Sequence, residues 1–480
     1  VLLQELVNGI ETEIKNDIAG CKITGINDDT RHLEPGEIFV ACRGHETDGH
    51  LYLDEAVASE AAALVVAKDK QNHLPDEISI PILTVDHPQE ILPDLLRRFY
   101  GRPDRELTLI GITGTNGKTT TTHLVESILE AEGESVGLIG TIERRFNGSE
   151  FAVDCTTPSL VGTYKCLRAW ADAGATAAVM EVSSHGLDQG RVKGLSFTAA
   201  GFTNLSQDHL DYHGEMEEYY QSKKKLFQQS SSSVVYVGDE YACRLAKEID
   251  AVTVGPGDND YRVVESDSNL TRTRLKMQMP IAEEPVVFES SLTGLHNYKN
   301  MALAAALTAE LGVRINSIQK GLAGADNVPG RCEKIASQPN IVVDYAHTPD
   351  AVENVIRSMK PLTRGRIICV FGAGGDRDRG KRPAMGEAVN RLADYAVVTS
   401  DNPRSEDPKK IIDDVVVGME ADRFHVRVDR GQAIRDAVER AAPEDLVLIL
   451  GKGHETEQII GTRVIPFDDA RVAREVLETV

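Results

Sequence analysis

Apolar residues along this chain fall into short runs whose spacing changes character twice. Over the first hundred residues, the runs Ile38-Phe39-Val40-Ala41, Ala62 to Ala67 and Ile82-Leu83-Thr84-Val85 are separated by Gly-, Pro- and Asp-rich turns, the pattern of a small mixed α/β domain. Gly101-Arg102-Pro103-Asp104 reads as a linker. A second region opens with an apolar strand, Leu107 to Ile112. A glycine loop follows, then a helix with Leu124, Val125, Ile128 and Leu129 at helical spacing. Buried strands are predicted at Ala177 to Val182, Ala199 to Leu205 and Ser233 to Val237. Residues 257–290 then alternate, with Arg272, Arg274 and Lys276 against Thr273, Leu275 and Met277, as a polar meander does. In the last region strands at Ile341–Asp344, Arg366–Phe371, Tyr395–Thr399, His425–Val428 and Leu446–Leu450 alternate with predicted helices. Those helices are Pro349–Met359, Arg382–Leu392, Pro408–Met419 and Gly431–Ala441, so a doubly wound parallel sheet is expected. Its ligands would lie beyond the carboxyl ends of the strands, where Gly372, Asp401 and Gly451 stand. The breaks put three domains at residues 1–103, 104–330 and 331–480.

Composition narrows the class. A length of 480 residues allows about three domains of ~100–200 residues, each able to bury its own core. The chain is 41% hydrophobic and 26% charged, which is ordinary globular usage. Its net charge of −23 argues against a general nucleic-acid partner, so any anionic ligand must be held by local groups. Seven scattered cysteines without a C-x-x-C pair fit reduced thiols better than disulfides or zinc. The first ten residues carry Glu5 and no basic stretch, so no signal peptide is expected. No apolar run approaches the ~18–20 residues that span a bilayer. A cytoplasmic monomer, with no membrane insertion, is the expectation.

The chemistry begins at Gly114-Thr115-Asn116-Gly117-Lys118-Thr119-Thr120, between the predicted strand and helix, where a P-loop belongs. Glycines let successive amide N–H groups face one phosphate cluster, and the helix N-terminus adds partial positive charge. Lys118 would reach the outer phosphates and the Thr119 hydroxyl would hold Mg2+. Ile112 stands where the general P-loop pattern has its first glycine. That departure is informative: T-G-T-N-G-K-T-T resembles the loop of the Mur ligase family, the ATP-dependent amide-forming enzymes of peptidoglycan synthesis, and of its folate-glutamylating cousins. The resemblance implies α/β architecture in three domains: a small mixed N-terminal domain, a central P-loop ATPase-like domain with a mostly parallel sheet, and a C-terminal Rossmann-like domain.

Further elements agree with the resemblance in order along the chain. Glu181 closes an apolar strand, where an acid can hold Mg2+ or cap a helix. The stretch Asn204 to Gly214 is dense in polar ligands, including His209 and His213. Both stretches resemble family motifs in which Glu181 and His209 are metal ligands. Lys223-Lys224-Lys225 would by default be a solvated helix face, but the resemblance implies that Lys223 is carbamylated and holds a second Mg2+. The chemistry is reasonable, because CO2 adds only to a neutral amine and burial or like charge favours that form. The implied catalytic set is Lys118, Glu181, His209 and Lys223. Asn297 and Asn300 share a helix face and could both bond adenine; they match the family's H-N-x-x-N element. Arg331 and Asp344 fall in the next two elements, which implies a phosphate contact and a ribose contact.

The family's substrate is a UDP-linked muramoyl peptide. Thr156, Thr157, Ser183, Gln189 and Arg191 match positions that hold its sugar and peptide carboxylates. In the first domain Asp28, Thr30, His45, Glu46 and Thr47 lie in segments resembling those that bind uridine diphosphate, with Thr30 where serine is usual. Asp401-Asn402-Pro403-Arg404 is the pattern of members that add meso-diaminopimelate, whereas lysine-adding relatives lack the arginine. Diaminopimelate differs from lysine by a carboxylate, which a planar guanidinium binds with two parallel hydrogen bonds. Arg377 is expected as a second carboxylate clamp, and Gly451 and Glu455, after an apolar strand, as the place for an ammonium group. The implied reaction joins diaminopimelate to the γ-carboxylate of UDP-MurNAc-L-Ala-D-Glu through an acyl phosphate, using ATP and two Mg2+. Its rivals are a lysine-adding ligase, a folylpolyglutamate-type ligase and a P-loop ATPase switch without an amino-acid acceptor.

Overall fold

The two central strands of the C-terminal sheet are apolar at every position because both faces of the sheet are covered there. Ile367–Phe371 and Leu446–Leu450 are buried throughout in the computed structural model, which describes residues 1–44, 47–75, 78–151, 153, 155–325 and 327–479. Cys369, Phe371, Leu446, Leu448 and Leu450 share one core with the helices Pro349–Met359, Lys381–Leu392 and Pro408–Val416. Ile368, Val370, Val447 and Ile449 share another with Arg430–Arg440 and Asp469–Leu477. Each fully buried Val, Leu or Ile contributes about 1.5–3 kcal/mol, so the alternation fixes which helix lies on which face. The strand order is Glu333–Ser337, Asn340–Asp344, Leu446–Leu450, Ile367–Phe371, Tyr395–Val398, Phe424–Val426, parallel except for the first strand. Asp344 and Leu450 end side by side, which gathers the following loops at one edge.

The N-terminal domain carries a mixed five-stranded sheet, ordered Glu13–Lys15, Ile82–Val85, Ala63–Ala67, Glu37–Val40, Gly25–Asn27, with only its first pair antiparallel. In the central domain Thr108–Thr113, Ala177–Glu181 and Val136–Ile139 pair in parallel. The meander predicted over 257–290 is Tyr261–Asn269, Arg272–Gln278 and Val286–Ser290, with Thr273, Leu275 and Met277 inward. The architecture is thus three-domain α/β: mixed sheet, mostly parallel sheet, Rossmann-like sheet. The predicted strand Ala199 to Leu205 is realised as Phe197–Phe202, because Thr203 and Asn204 leave the ladder to bond the glycine loop. Ser233 to Val237 is realised as Ser230–Tyr236, and His425–Val428 as Phe424–Val426. By contacts the chain divides into two compact units, Val1–Thr113 with Glu134–Ala200 and Leu210–Ser233, and Gly114–Gly133 with Gly201–His209 and Val234–Val480. Among the described residues no helix is long and apolar enough to cross a membrane.

Candidate active site

The glycine loop is built as an anion cradle. Gly114 has φ +145° and Gly117 φ +82°. A Cβ at Gly114 would run into Thr203 Oγ1, and one at Gly117 into Asn300 Oδ1, so both positions require glycine. Thr203 Oγ1 donates to Asn116 O at 2.6 Å, and the Asn204 side chain brackets Asn116 by donating to its carbonyl and accepting from its N–H, both at 3.0 Å. Thr115 N donates to Asn204 O at 2.9 Å. No side chain caps the helix Lys118–Glu132 that follows, so its N-terminus faces the loop as a phosphate site does. Lys118 Nζ donates to Gly114 O and Thr115 O at 2.9 and 2.7 Å. Arg331 Nη2 reaches Thr119 Oγ1 at 3.3 Å, which brings a predicted phosphate contact to the loop. Thr120 is buried in the first turn of the helix.

Asn297 and Asn300 are both buried. Asn300 Nδ2 donates to Asn297 Oδ1 at 2.9 Å, and Asn297 Nδ2 to Thr293 O at 2.6 Å, so the pair forms a rigid wall against Gly117. Asp344 accepts from Cys332 N at 2.7 Å and from Ala346 N at 2.8 Å, which fixes both its oxygens. The Arg331 guanidinium lies over the Tyr345 ring, 4.7 Å from its centroid. Near them burial, aided by Arg331 and Lys452, pushes the His454 ring down to about 4.

A second constellation lies in the unit that holds the N-terminal domain. Glu181 is 1% exposed, and its carboxylate accepts from Thr141 N at 2.7 Å and Thr141 Oγ1 at 3.0 Å. Thr156 Oγ1 lies 3.0 Å from Thr141 Oγ1. Thr157 Oγ1 donates to Glu181 O at 3.0 Å and accepts from Ser183 N at 2.9 Å. Arg191 donates to Thr157 O at 2.9 Å and to Gln189 Oε1 at 2.6 Å. The five predicted substrate-holding residues are therefore linked to Glu181 in one network, Thr156 through Thr141 and the others through Thr157. Lys223 is 1% exposed, with Nζ 4.5 Å from the centroid of the Tyr219 ring, whereas Lys225 pairs with Asp188 on the surface at 2.8 Å. His209 belongs to the other unit, has φ +54° and is largely exposed beside Asp208.

Among the described residues no group of three or more His, Cys, Asp or Glu side chains is gathered to hold a metal ion. The hydroxyl of Thr119 and the buried, hydrogen-bonded carboxylate of Glu181 are the hard oxygen donors that Mg2+ takes, so the residue chemistry fits that ion.

In the N-terminal domain burial raises Asp28 to about 6. Thr30 Oγ1 donates to Glu55 at 3.0 Å, and the carbonyl of Thr47 accepts from Gly44 N at 2.8 Å. His45 and Glu46 lie outside the described residues.

The third constellation sits at the carboxyl edge of the Rossmann-like sheet. Gly451 packs against the Asp401 carboxylate, and Gly372 against Thr399 and Asp401. Asn402 Nδ2 donates to Glu455 Oε2 at 2.8 Å. Arg404 has φ +51°, donates its N–H to Ile459 O at 3.0 Å and gives Nη1 to Gly375 O at 2.8 Å. Pro403 lies over Gly375, and Arg377 and Arg404 flank Gly374. Behind them Arg382, fully buried, donates to Glu406 at 2.7 Å and Asp414 at 2.9 Å, and holds Glu406 down at about 2. Glu406 in turn accepts from Asp376 N at 2.7 Å.

Sequence reasoning did not single out Thr141, Thr203, Arg382 or Lys452. Thr203 and Thr141 each follow a strand directly or by one residue. A polar residue there, next to a glycine or asparagine, was the available signal.

Comparison with known proteins now fits these features. The profile described as "Mur ligase family, catalytic domain" matches residues 22–100, "Mur ligase middle domain" matches 112–308, and "Mur ligase, glutamate ligase domain" matches 330–453. The chain is 41% identical over 487 residues to the UDP-N-acetylmuramoyl-L-alanyl-D-glutamate–2,6-diaminopimelate ligase of Gloeobacter violaceus, covering 99% of this chain and 98% of that one. The enzyme of the same name from Synechococcus elongatus is 41% identical over 474 residues, with 95% and 94% covered. A solved structure of an enzyme of this name superposes with a TM-score of 0.71 at 30% identity, covering 100% of this chain and 99% of its own. The chain belongs to the Mur ligase family.

Proposed function

We propose that this chain is an ATP-dependent acid–amino-acid ligase that adds meso-2,6-diaminopimelate to the D-glutamyl γ-carboxylate of UDP-N-acetylmuramoyl-L-alanyl-D-glutamate. The observation that carries the reading is end-to-end similarity, at 41% identity, to a relative bearing that name. The guanidinium of Arg404, fixed by Gly375 O, supports it on chemical grounds.

Residues 1–103 would bind the UDP moiety through Asp28, Thr30 and Thr47, residues 104–330 the ATP, and residues 331–480 the incoming amino acid. The glycine loop, Lys118 and Arg331 hold the phosphates of ATP; Asn297 and Asn300 keep the loop in shape. Thr156, Thr157, Ser183, Gln189 and Arg191 hold the acceptor's sugar and peptide. An oxygen of the γ-carboxylate attacks the γ-phosphorus, the bond to the β-phosphate oxygen breaks, and ADP leaves. The amine nitrogen of diaminopimelate then attacks the carbonyl carbon of the acyl phosphate. A C–N bond forms, phosphate departs, and the ammonium proton passes to solvent. Glu181 and carbamylated Lys223 in one unit, and Thr119 and His209 in the other, would supply donors for Mg2+, whose charge would screen the repulsion between carboxylate and phosphate. Arg377, Asp401, Asn402, Arg404 and Glu455 orient the amino acid, and most of the acceleration comes from positioning. A monomer is proposed, and the nucleotide-linked substrates support a cytoplasmic setting.

Phosphate release is the test, measured with ATP, Mg2+ and the UDP-muramoyl dipeptide, with diaminopimelate or lysine added. Release that requires diaminopimelate supports the reading; release with lysine alone, or with neither, overturns it.

A further inference from the structure

Lys452 is a lysine with no exposed surface, and its ammonium has three acceptors. Nζ donates to Glu455 Oε2 at 2.8 Å, to Asn402 Oδ1 at 3.2 Å and to the carbonyl of Glu457 at 2.6 Å. An ammonium has three protons, so these bonds fill its capacity. Asn402 closes the ring by donating Nδ2 to the same Glu455 oxygen, and its Oδ1 also accepts from Ile459 N at 3.0 Å. The amide of Asn402 is thereby oriented from both ends. Glu457 and Ile459 begin the hairpin strand Glu457–Ile460, and Ile459 O accepts from Arg404 N while Gly461 N donates to Arg404 O. One buried cation therefore touches both recognition loops, the one carrying Asn402 and Arg404 and the one carrying Glu455, and also the hairpin that grips Arg404.

We propose that Lys452 is the positioning residue of the amino-acid site: it locks Asn402, Glu455 and the Arg404 hairpin into one arrangement that reads the two ends of the incoming diamino diacid. This deepens the function proposed above and rests on it. Glu455 Oε2 is occupied by Lys452 and Asn402, so Oε1 is the oxygen oriented for a ligand ammonium. Arg404 Nη1 is committed to Gly375, which turns the rest of its guanidinium edge to a carboxylate. Without the lysine, Glu455, 30% exposed, loses one of the two donors to its Oε2 and the hairpin loses the bond at the Glu457 carbonyl, so both directions loosen.

The experiment is steady-state kinetics on the full chain with Lys452→Met, Glu455→Gln and the double variant. Methionine matches the lysine stem in length, and because the Glu455 carboxylate is 30% exposed, water can take up the bond it loses. Loss of a charge-assisted network of this kind raises KM for diaminopimelate by about 10–100-fold in Lys452→Met, with KM for ATP within about twofold of wild type. Because Lys452 acts through Glu455, the double variant should match the more impaired single variant within about threefold. A role in stability alone would instead lower the amount of folded enzyme and leave both KM values unchanged. An unchanged KM for diaminopimelate, or single effects that multiply in the double variant, overturns the proposal. Should Lys452→Met not fold, Lys452→Gln, which keeps two N–H donors, is read by the same criteria. Wild-type enzyme that rejects diaminopimelate but ligates another amino acid refutes the proposed function alone; Lys452 is then tested on KM for the amino acid accepted.

Discussion

Arg404 offers the sharpest test of amino-acid choice. Its backbone is held at φ +51° by Ile459 O and Gly461 N, and its Nη1 by Gly375 O, so the side chain is aimed before any ligand arrives. The remaining N–H edge can give a carboxylate two parallel, charge-assisted bonds. Hydrogen bonds to charged groups are worth about 1.5–3 kcal/mol each, and the lower value suits a half-buried side chain. Arg404→Lys keeps the charge and one bond, so it should lose about 1.5 kcal/mol, or roughly 10-fold in kcat/KM for diaminopimelate. Arg404→Ala loses both bonds, about 3 kcal/mol, or roughly 150-fold. Lysine, which lacks the second carboxylate, should be affected by less than about threefold in either variant, so the preference between the two amino acids narrows. The assay is acceptor-dependent phosphate release with ATP saturating. Equal losses for diaminopimelate and lysine, or none for either, would refute the argument that this guanidinium reads the distal carboxylate.

Gly117→Ala places a methyl group against Asn300 at a φ of +82°, so nucleotide affinity should fall at least about 10-fold with the fold retained, as measured by fluorescent-nucleotide titration; unchanged affinity removes the cradle assignment. Lys223→Ala should abolish ligation and be partly restored by added short carboxylates, whereas turnover at the wild-type rate rules out a carbamate. His454 is held at about 4, below its ordinary 6.5, chiefly by burial. As pH falls through 6.5 the unfolded chain takes up a proton that the native ring refuses until about 4. Stability is therefore lost across that window, by at most about 3 kcal/mol and less because the ring is partly exposed. Urea titrations at pH 7 and pH 4.5 should show a smaller decline in His454→Gln; an identical decline overturns the assignment.

Periodicity made the Rossmann-like region readable to within a few residues. Pro349–Met359 and Leu446–Leu450 lie where the spacing puts them, because a strand covered on both faces admits only apolar residues and each helix must show one apolar stripe. The helix predicted to Met419 stops at Val416, since nothing in an apolar pattern marks where hydrogen bonding ends. Sidedness hid Thr203. On hydropathy it extends an apolar strand, yet its hydroxyl turns to the glycine loop, and no local spacing encodes a partner 87 positions away. Lys223 poses the reverse case. In sequence it opens a run of three lysines, and only packing against Tyr219 separates the buried member from Lys225 on the surface. Spacing made legible the residues whose role depends on a neighbour in sequence; a role set by a distant loop was reached through resemblance, as for Arg331, or missed, as for Thr203.

That division has a physical consequence for the amino-acid site. Its loops are supported from beneath by buried cations: Arg382 on Glu406 and Asp414, Arg430 on Asp469 at 2.6 Å and on Leu450 O at 3.0 Å, and Lys452 on Asn402 and Glu455. Apolar residues of equal volume in place of both members of each pair would give similar stability, since desolvating a charge offsets most of what its partner returns. They would not fix direction. A methionine in place of Lys452 is indifferent to the rotation of Asn402, whereas an ammonium with filled bonding capacity holds both the amide and the carboxylate in one orientation. Two positions with positive φ, Asp376 and Arg404, lie above these cations, where the backbone would otherwise relax. Directional support of this kind is what a ligand with two charged ends requires. Substitution of Lys452, whose partner Glu455 is partly open to water, should therefore register in KM for the amino acid before it registers in thermal stability.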